Sequence, residues 1–165
     1  MKYSFFLFLL FIIACSKDYQ KNIDEADKLI ETKDFQKAVE LLKETVSAND
    51  EKLSPVALKK LAIIYQQNSL PEIDYVESQN LAQQYFYQIF EKFPKSDEAP
   101  KSLFMSAYLL ANELKQYEKA TKQYSLFLEN YPNHELAASA KIELENIGLS
   151  PEEILKKNIS KSDAN

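Results

Sequence analysis

The sequence predicts an all-α chain, and three observations carry that prediction. Glycine occurs once and proline six times in 165 residues, too few for a β-rich fold whose hairpins need residues that accept positive φ. Large apolar residues recur at three- and four-residue intervals, the spacing that gathers them on one face of a helix. A pattern of alanine, aromatic and proline also returns at an offset of 38 positions, which marks a helical unit used more than once.

In chain order, the first element is not part of the fold. Met1, Lys2, Tyr3 and Ser4 precede an apolar run from Phe5 to Ile13; about nine residues cover under half of a bilayer's hydrocarbon thickness. With the small Ala14 after it, the run reads as a secretory signal peptide over residues 1–14. The order Ile12, Ile13, Ala14, Cys15 resembles a bacterial lipobox. That resemblance implies that Cys15 receives a diacylglycerol and an N-acyl chain and becomes the first mature residue. A disulfide is excluded, because the chain has no second cysteine. Each buried methylene is worth about 0.8 kcal/mol, so two or three acyl chains hold a protein at a membrane without release. Ser16 stands where, in the enteric sorting rule, an aspartate would mean retention at the inner membrane. The resemblance therefore implies the periplasmic face of the outer membrane, with residues 15–22 as a lipidated linker.

A helical domain is expected over 23–155. Phe35, Ala38, Val39, Leu42 and Val46 share a face, then Leu58, Leu61, Ala62 and Tyr65, then Ala82, Phe86, Ile89, Phe90 and Phe93. Leu103, Ala107, Leu110 and Leu114 follow, then Tyr117, Ala120, Tyr124, Phe127 and Tyr131, giving about seven helices and a short last one. Ser54 before Pro55 reads as an N-cap, as do Ser96 and Asn133 for the helices after them. The chain breaks again near Pro71. Gly148 sits where a left-handed C-cap wants glycine, and Ser150 with Glu153 forms a capping box. Residues 156–165, with one large apolar side chain, read as a disordered tail.

Setting Pro94 on Pro132 aligns two stretches: Ala82 with Ala120, Phe86 with Tyr124, Ile89 with Phe127, Phe93 with Tyr131 and Ala99 with Ala137. Alanine followed four residues later by an aromatic and twelve later by proline resembles the second helix of a tetratricopeptide repeat; Phe35 and Ala38 begin a third copy without the proline. In the helix before Ala120, Phe104 and Ala107 fall where the family carries its large and small residues. The resemblance implies a short right-handed α-solenoid of about three helix pairs plus a partial fourth, in which no pair buries its apolar stripe alone. It also implies that first helices line a concave face, which nominates Tyr65, Tyr108 and Asn112 as partner contacts. A core role for Tyr65 and Tyr108 stands beside that reading.

Chemistry is sparse. Acidic residues exceed basic ones by 25 to 20, and every basic residue is lysine, so neither nucleic acid nor anionic headgroups are recruited by charge, and the rigid guanidinium fork is missing. His134 is the only histidine, too little for a multi-histidine metal site or a Cys/His nucleophile pair; it reads as part of a helix's first turn. Asp24 with Glu25, and Glu152 with Glu153, are neighbours that point apart on a helix. No phosphate-binding glycine loop is possible. The expectation is a protein that is not an enzyme, with no cofactor, metal or small-molecule substrate, whose partners are other envelope proteins.

Leader, lipobox and repeats together resemble the BamD family of outer-membrane assembly lipoproteins, which implies an adaptor in outer-membrane protein assembly. The periplasmic repeat proteins that coordinate the Tol-Pal system with cell-wall synthesis are a second resemblance, and a structural lipoprotein without a dedicated client is the third reading.

Overall fold

The computed structural model describes residues 18–162, so the leader over 1–14 and Cys15 lie outside the described residues. Among the described residues there are eight α-helices and no strand: α1 (Tyr19–Glu31), α2 (Phe35–Ser47), α3 (Leu53–Gln66), α4 (Tyr75–Lys92), α5 (Ala99–Asn112), α6 (Tyr117–Asn130), α7 (Ala137–Asn146) and α8 (Pro151–Ser162). Each helix from α1 to α6 packs against the next in sequence, and α1 also touches α3. Short turns between successive helices make them alternate in direction, and the result is an α-solenoid of helix pairs.

The 38-residue repeat is visible in the backbone. Helix α4 ends at Phe93 with φ −129°, ψ 54°, and α6 at Tyr131 with φ −131°, ψ 52°. Proline follows each, where a helix can no longer continue. Ala82 and Ala120 are fully buried, as are Ile89 and Phe127, while Phe86 is 4% exposed and Tyr124 not at all. Helix α2 follows the same order with Ala38, Leu42 and Thr45, all fully buried. It ends differently, on Asn49 at φ 52°, because no proline stands there to stop it.

Every turn from the first to the second helix of a pair passes through a left-handed residue: Lys33 (φ 63°), Asn68 (φ 50°), Lys115 (φ 54°) and Gly148 (φ 77°). Only the last is the glycine such a position favours. An αL backbone lets the turn's amides reach back to the helix, as in Asp34 N to Leu29 O (2.8 Å) and Gln116 N to Leu110 O (2.7 Å). Carbonyls at the end of α3 are also met by α4, where Ser78 Oγ donates to Tyr65 O (2.6 Å), which accepts from Asn68 N as well, and Gln79 Nε2 donates to Gln66 O (3.0 Å).

Several expected boundaries move. Ser54 is not an N-cap: it is buried in the first turn of α3 and donates to Thr45 O, while Asp50 Oδ1 accepts from the Lys52 and Leu53 amides. Ser96 and Asn133 do not cap either, since α5 and α7 begin later, at Ala99 and Ala137. Asp74, which no sequence signal singled out, caps α4 by accepting from Glu77 N (3.0 Å). The linker expected over 15–22 is already helical from Tyr19, drawn in by the burial of Ile23 and Ala26. The tail expected from residue 156 is helical through Ser162; Lys157 Nζ donates to Glu145 O (2.7 Å) and Asn146 Oδ1 (3.1 Å), tying α8 back to α7.

Candidate protein-binding site

Alternating helices give the solenoid two edges. One carries the turns between pairs, where Glu51 and Lys52 line a groove together with Lys95 and Glu98. The other carries the turns within pairs. There, the α5–α6 turn and the α7–α8 turn meet around a cleft of about 250 Å³ lined by Asn112, Lys115, Tyr117, Ile142, Glu143, Asn146, Gly148, Leu149 and Ile154, with Ala111 and Ile147.

The repeat explains why apolar side chains stay exposed in this largely polar cleft. Ile142 holds the register of Phe104 at the 38-residue offset. Phe104 is covered by the second helix of its own pair, its ring lying edge-on to Tyr124 (5.6 Å) and Phe127 (5.9 Å). The second helix of Ile142's pair is α8, held to α7 mainly by Lys157, and Ile142 stays 60% exposed. Tyr117 (40%) and Leu149 (38%) are also exposed at the rim. Gly148 takes its left-handed φ of 77° beside the Tyr117 ring, which a Cβ there would meet in ordinary van der Waals contact at 3.6 Å. Apolar side chains beside the amides of Asn112 and Asn146 suit a peptide, whose side chains seek burial and whose backbone seeks hydrogen bonds.

The three nominated contacts do not converge. Asn112 lines the cleft, half-buried, with its amide donating to Tyr108 O (3.2 Å). Tyr108 is half-buried beside Tyr124 and does not line the cleft. Tyr65 is a core residue, 3% exposed and stacked on Tyr85 with ring centroids 5.5 Å apart; only its edge reaches a separate groove of about 230 Å³ between α2 and the α3–α4 connection. Sequence reasoning missed Ile142, Tyr117 and Leu149. Ile142 was findable, as a large apolar residue in a repeat position whose covering helix lacks the aromatic of α4 and α6.

Polar side chains tie the helices to one another. Gln83 Nε2 donates to Ser106 Oγ (2.8 Å), which donates to Gln123 Oε1 (2.6 Å), linking α4, α5 and α6 through a buried serine. Lys59 pairs with Glu98 (3.2 Å) and Lys101 with Glu135 (3.1 Å), each joining a first helix to the turn before the next. The Lys101 ammonium holds the Glu135 carboxyl below its ordinary value. Tyr75 donates to Glu113, and that bond raises the Tyr75 phenol. His134 sits in the turn before α7, in the register of Ser96, where Nδ1 accepts from Leu136 N (3.1 Å) and the ring packs edge-on against Phe127. Among the described residues no group of three or more His, Cys, Asp or Glu is placed to hold a metal ion, and no helix is long and apolar enough to cross a membrane.

With this geometry in hand, comparison with known proteins gives one finding. The tetratricopeptide repeat family model matches residues 101–134, which run from the first turn of α5 through α6 to His134. No curated protein matches the chain. The matched segment is one helix pair with its closing turn, and it supplies Asn112, Lys115 and Tyr117 to the cleft. A tetratricopeptide-like pair of this kind supports binding to other proteins or peptides.

Proposed function

We propose that the chain is a membrane-anchored, non-catalytic adaptor of the bacterial envelope that holds a segment of another protein in the cleft between the α5–α6 and α7–α8 turns, in outer-membrane protein assembly of the BamD kind. The observation that carries the reading is that cleft: a partly uncovered repeat position built on the segment that matches the tetratricopeptide repeat. Anchoring through acyl chains on Cys15 is supported by the lipobox-like order Ile12, Ile13, Ala14, Cys15, and delivery to the outer membrane by Ser16 after it. An adaptor needs only to hold its client near the membrane, which an anchor and a cleft accomplish together.

Crosslinking in native membranes with a C-terminally tagged lipoprotein tests the reading, with Cys15→Ala as the unanchored control. Recovery of a barrel-insertion protein or nascent barrels, lost in the control, is the expected result. Recovery of cell-wall enzymes or Tol-Pal components would place the adaptor in that system instead, and an empty lane would overturn the adaptor reading in favour of a structural lipoprotein.

A further inference from the structure

We propose that the first helix pair stands end-on against the bilayer that holds Cys15, with the α2–α3 turn at the lipid headgroups and the C-terminal cleft on the opposite edge, facing away from them. This rests on the anchoring proposed above. The argument is one of reach. Helix α1 begins at Tyr19, and the four residues from Cys15 to Tyr19 span at most about 14 Å fully extended. The thirteen residues of α1 are longer than that, about 20 Å.

Acyl chains in the hydrocarbon keep the Cys15 backbone at the headgroup boundary, so the start of α1 lies within one short tether of it. Helix α2 returns toward that same end, because only residues 32–34 separate it from α1, so the α2–α3 turn with Asp50 and Glu51 lies at the same end of the pair as the start of α1. The alternative is that α1 lies flat in the interface, which requires an outward apolar face. It has none: its outward side chains include Lys21, Asp24, Glu25 and Lys28, and no large apolar residue of α1 or α2 is exposed. The cleft belongs to the other edge, about one helix length farther from the bilayer. A short tether thus fixes which edge a soluble client meets.

The test uses the purified full-length lipoprotein in vesicles of phosphatidylethanolamine and phosphatidylglycerol carrying a headgroup nitroxide. A fluorophore is placed on Glu51→Cys, Glu31→Cys or Glu118→Cys, all exposed positions, and the mass of the Cys15 peptide is measured on the same sample. The expected result is a lipidated Cys15 with quenching several-fold stronger at position 51 than at 31 or 118. A long Gly/Ser insert between Ser16 and Lys17 should erase the difference. Lipidation with equal quenching at 51 and 31 would overturn the orientation while leaving the anchor standing, and a difference that survives the insert would overturn the short tether as its cause. An unmodified Cys15 would overturn the anchor and the orientation with it.

Discussion

Phe86 and Tyr124 occupy the same repeat position and differ by one hydroxyl. Tyr124 Oη is buried without a hydrogen-bond partner among the described residues, and burial pushes its phenol well up, with Glu143 and Tyr108 adding to the rise. An orphaned buried hydroxyl carries a desolvation penalty of about 1–3 kcal/mol. Tyr124→Phe should therefore melt at or above the parent temperature; a clear loss of stability would mean the hydroxyl has a partner. Ala120, fully buried where α5 and α6 cross, behaves oppositely. Ala120→Leu should lower stability by about 1–3 kcal/mol, readable as a fall in Tm by circular dichroism, and an unchanged Tm would contradict the repeat register. Spacing made both residues legible in the sequence. Ser54 and Ser96 were misread because a capping role depends on where a helix starts, and of the two readings left open for Tyr65 its burial favours the core one. Periodicity places a residue on a face but does not say what lies against it.

At the scale of elements, α8 is the part held by identifiable devices. Ser150 N donates to Glu153 Oε2 (2.7 Å) and Glu153 N to Ser150 Oγ (3.3 Å), a reciprocal capping box, and these bonds hold the Glu153 carboxyl below its ordinary value. A depressed carboxyl contributes stability above the unfolded glutamate range and loses it as pH falls through the folded value. Amide protection over residues 151–155 should therefore drop on acidification below about pH 4, and Ser150→Ala should remove much of that protection already at neutral pH. Protection unchanged in both would show that the box does not hold the helix. The capping box was legible because its residues lie three apart; the extension to Ser162 was not, because polar side chains conceal a tie such as Lys157 to Glu145. The left-handed turns at Lys33 and Lys115 were equally hidden, since no glycine advertises them. An αL lysine is strained by about 1–2 kcal/mol, and glycine in its place loses about 0.5–1 kcal/mol in chain entropy. Lys33→Gly should thus raise stability slightly, and a lowered denaturation midpoint would contradict the turn.

As a whole molecule, a solenoid is stabilised by neighbours along one dimension. Helices α3, α4 and α5 each have a partner on both sides, whereas among the described residues α8 is held chiefly by its ties to the end of α7. Hydrogen exchange should be slowest in α3–α5 and fastest in α8. The order of helices and their pairing were readable from period and repeat, since each pair must hide its stripe in the next. The cleft was not, because it forms where the series runs out of covering side chains.

The central claim is that this cleft receives a protein partner at the membrane. The most direct test replaces Ile142, 60% exposed in the cleft, with a photocrosslinking residue in the anchored lipoprotein and compares it with the same replacement at Glu31. A discrete adduct with an outer-membrane assembly component at position 142, absent at position 31 and lost with Cys15→Ala, is the predicted result. Equal adducts at both positions, or none at 142 while that component still copurifies with the lipoprotein, would place the partner elsewhere and contradict the account.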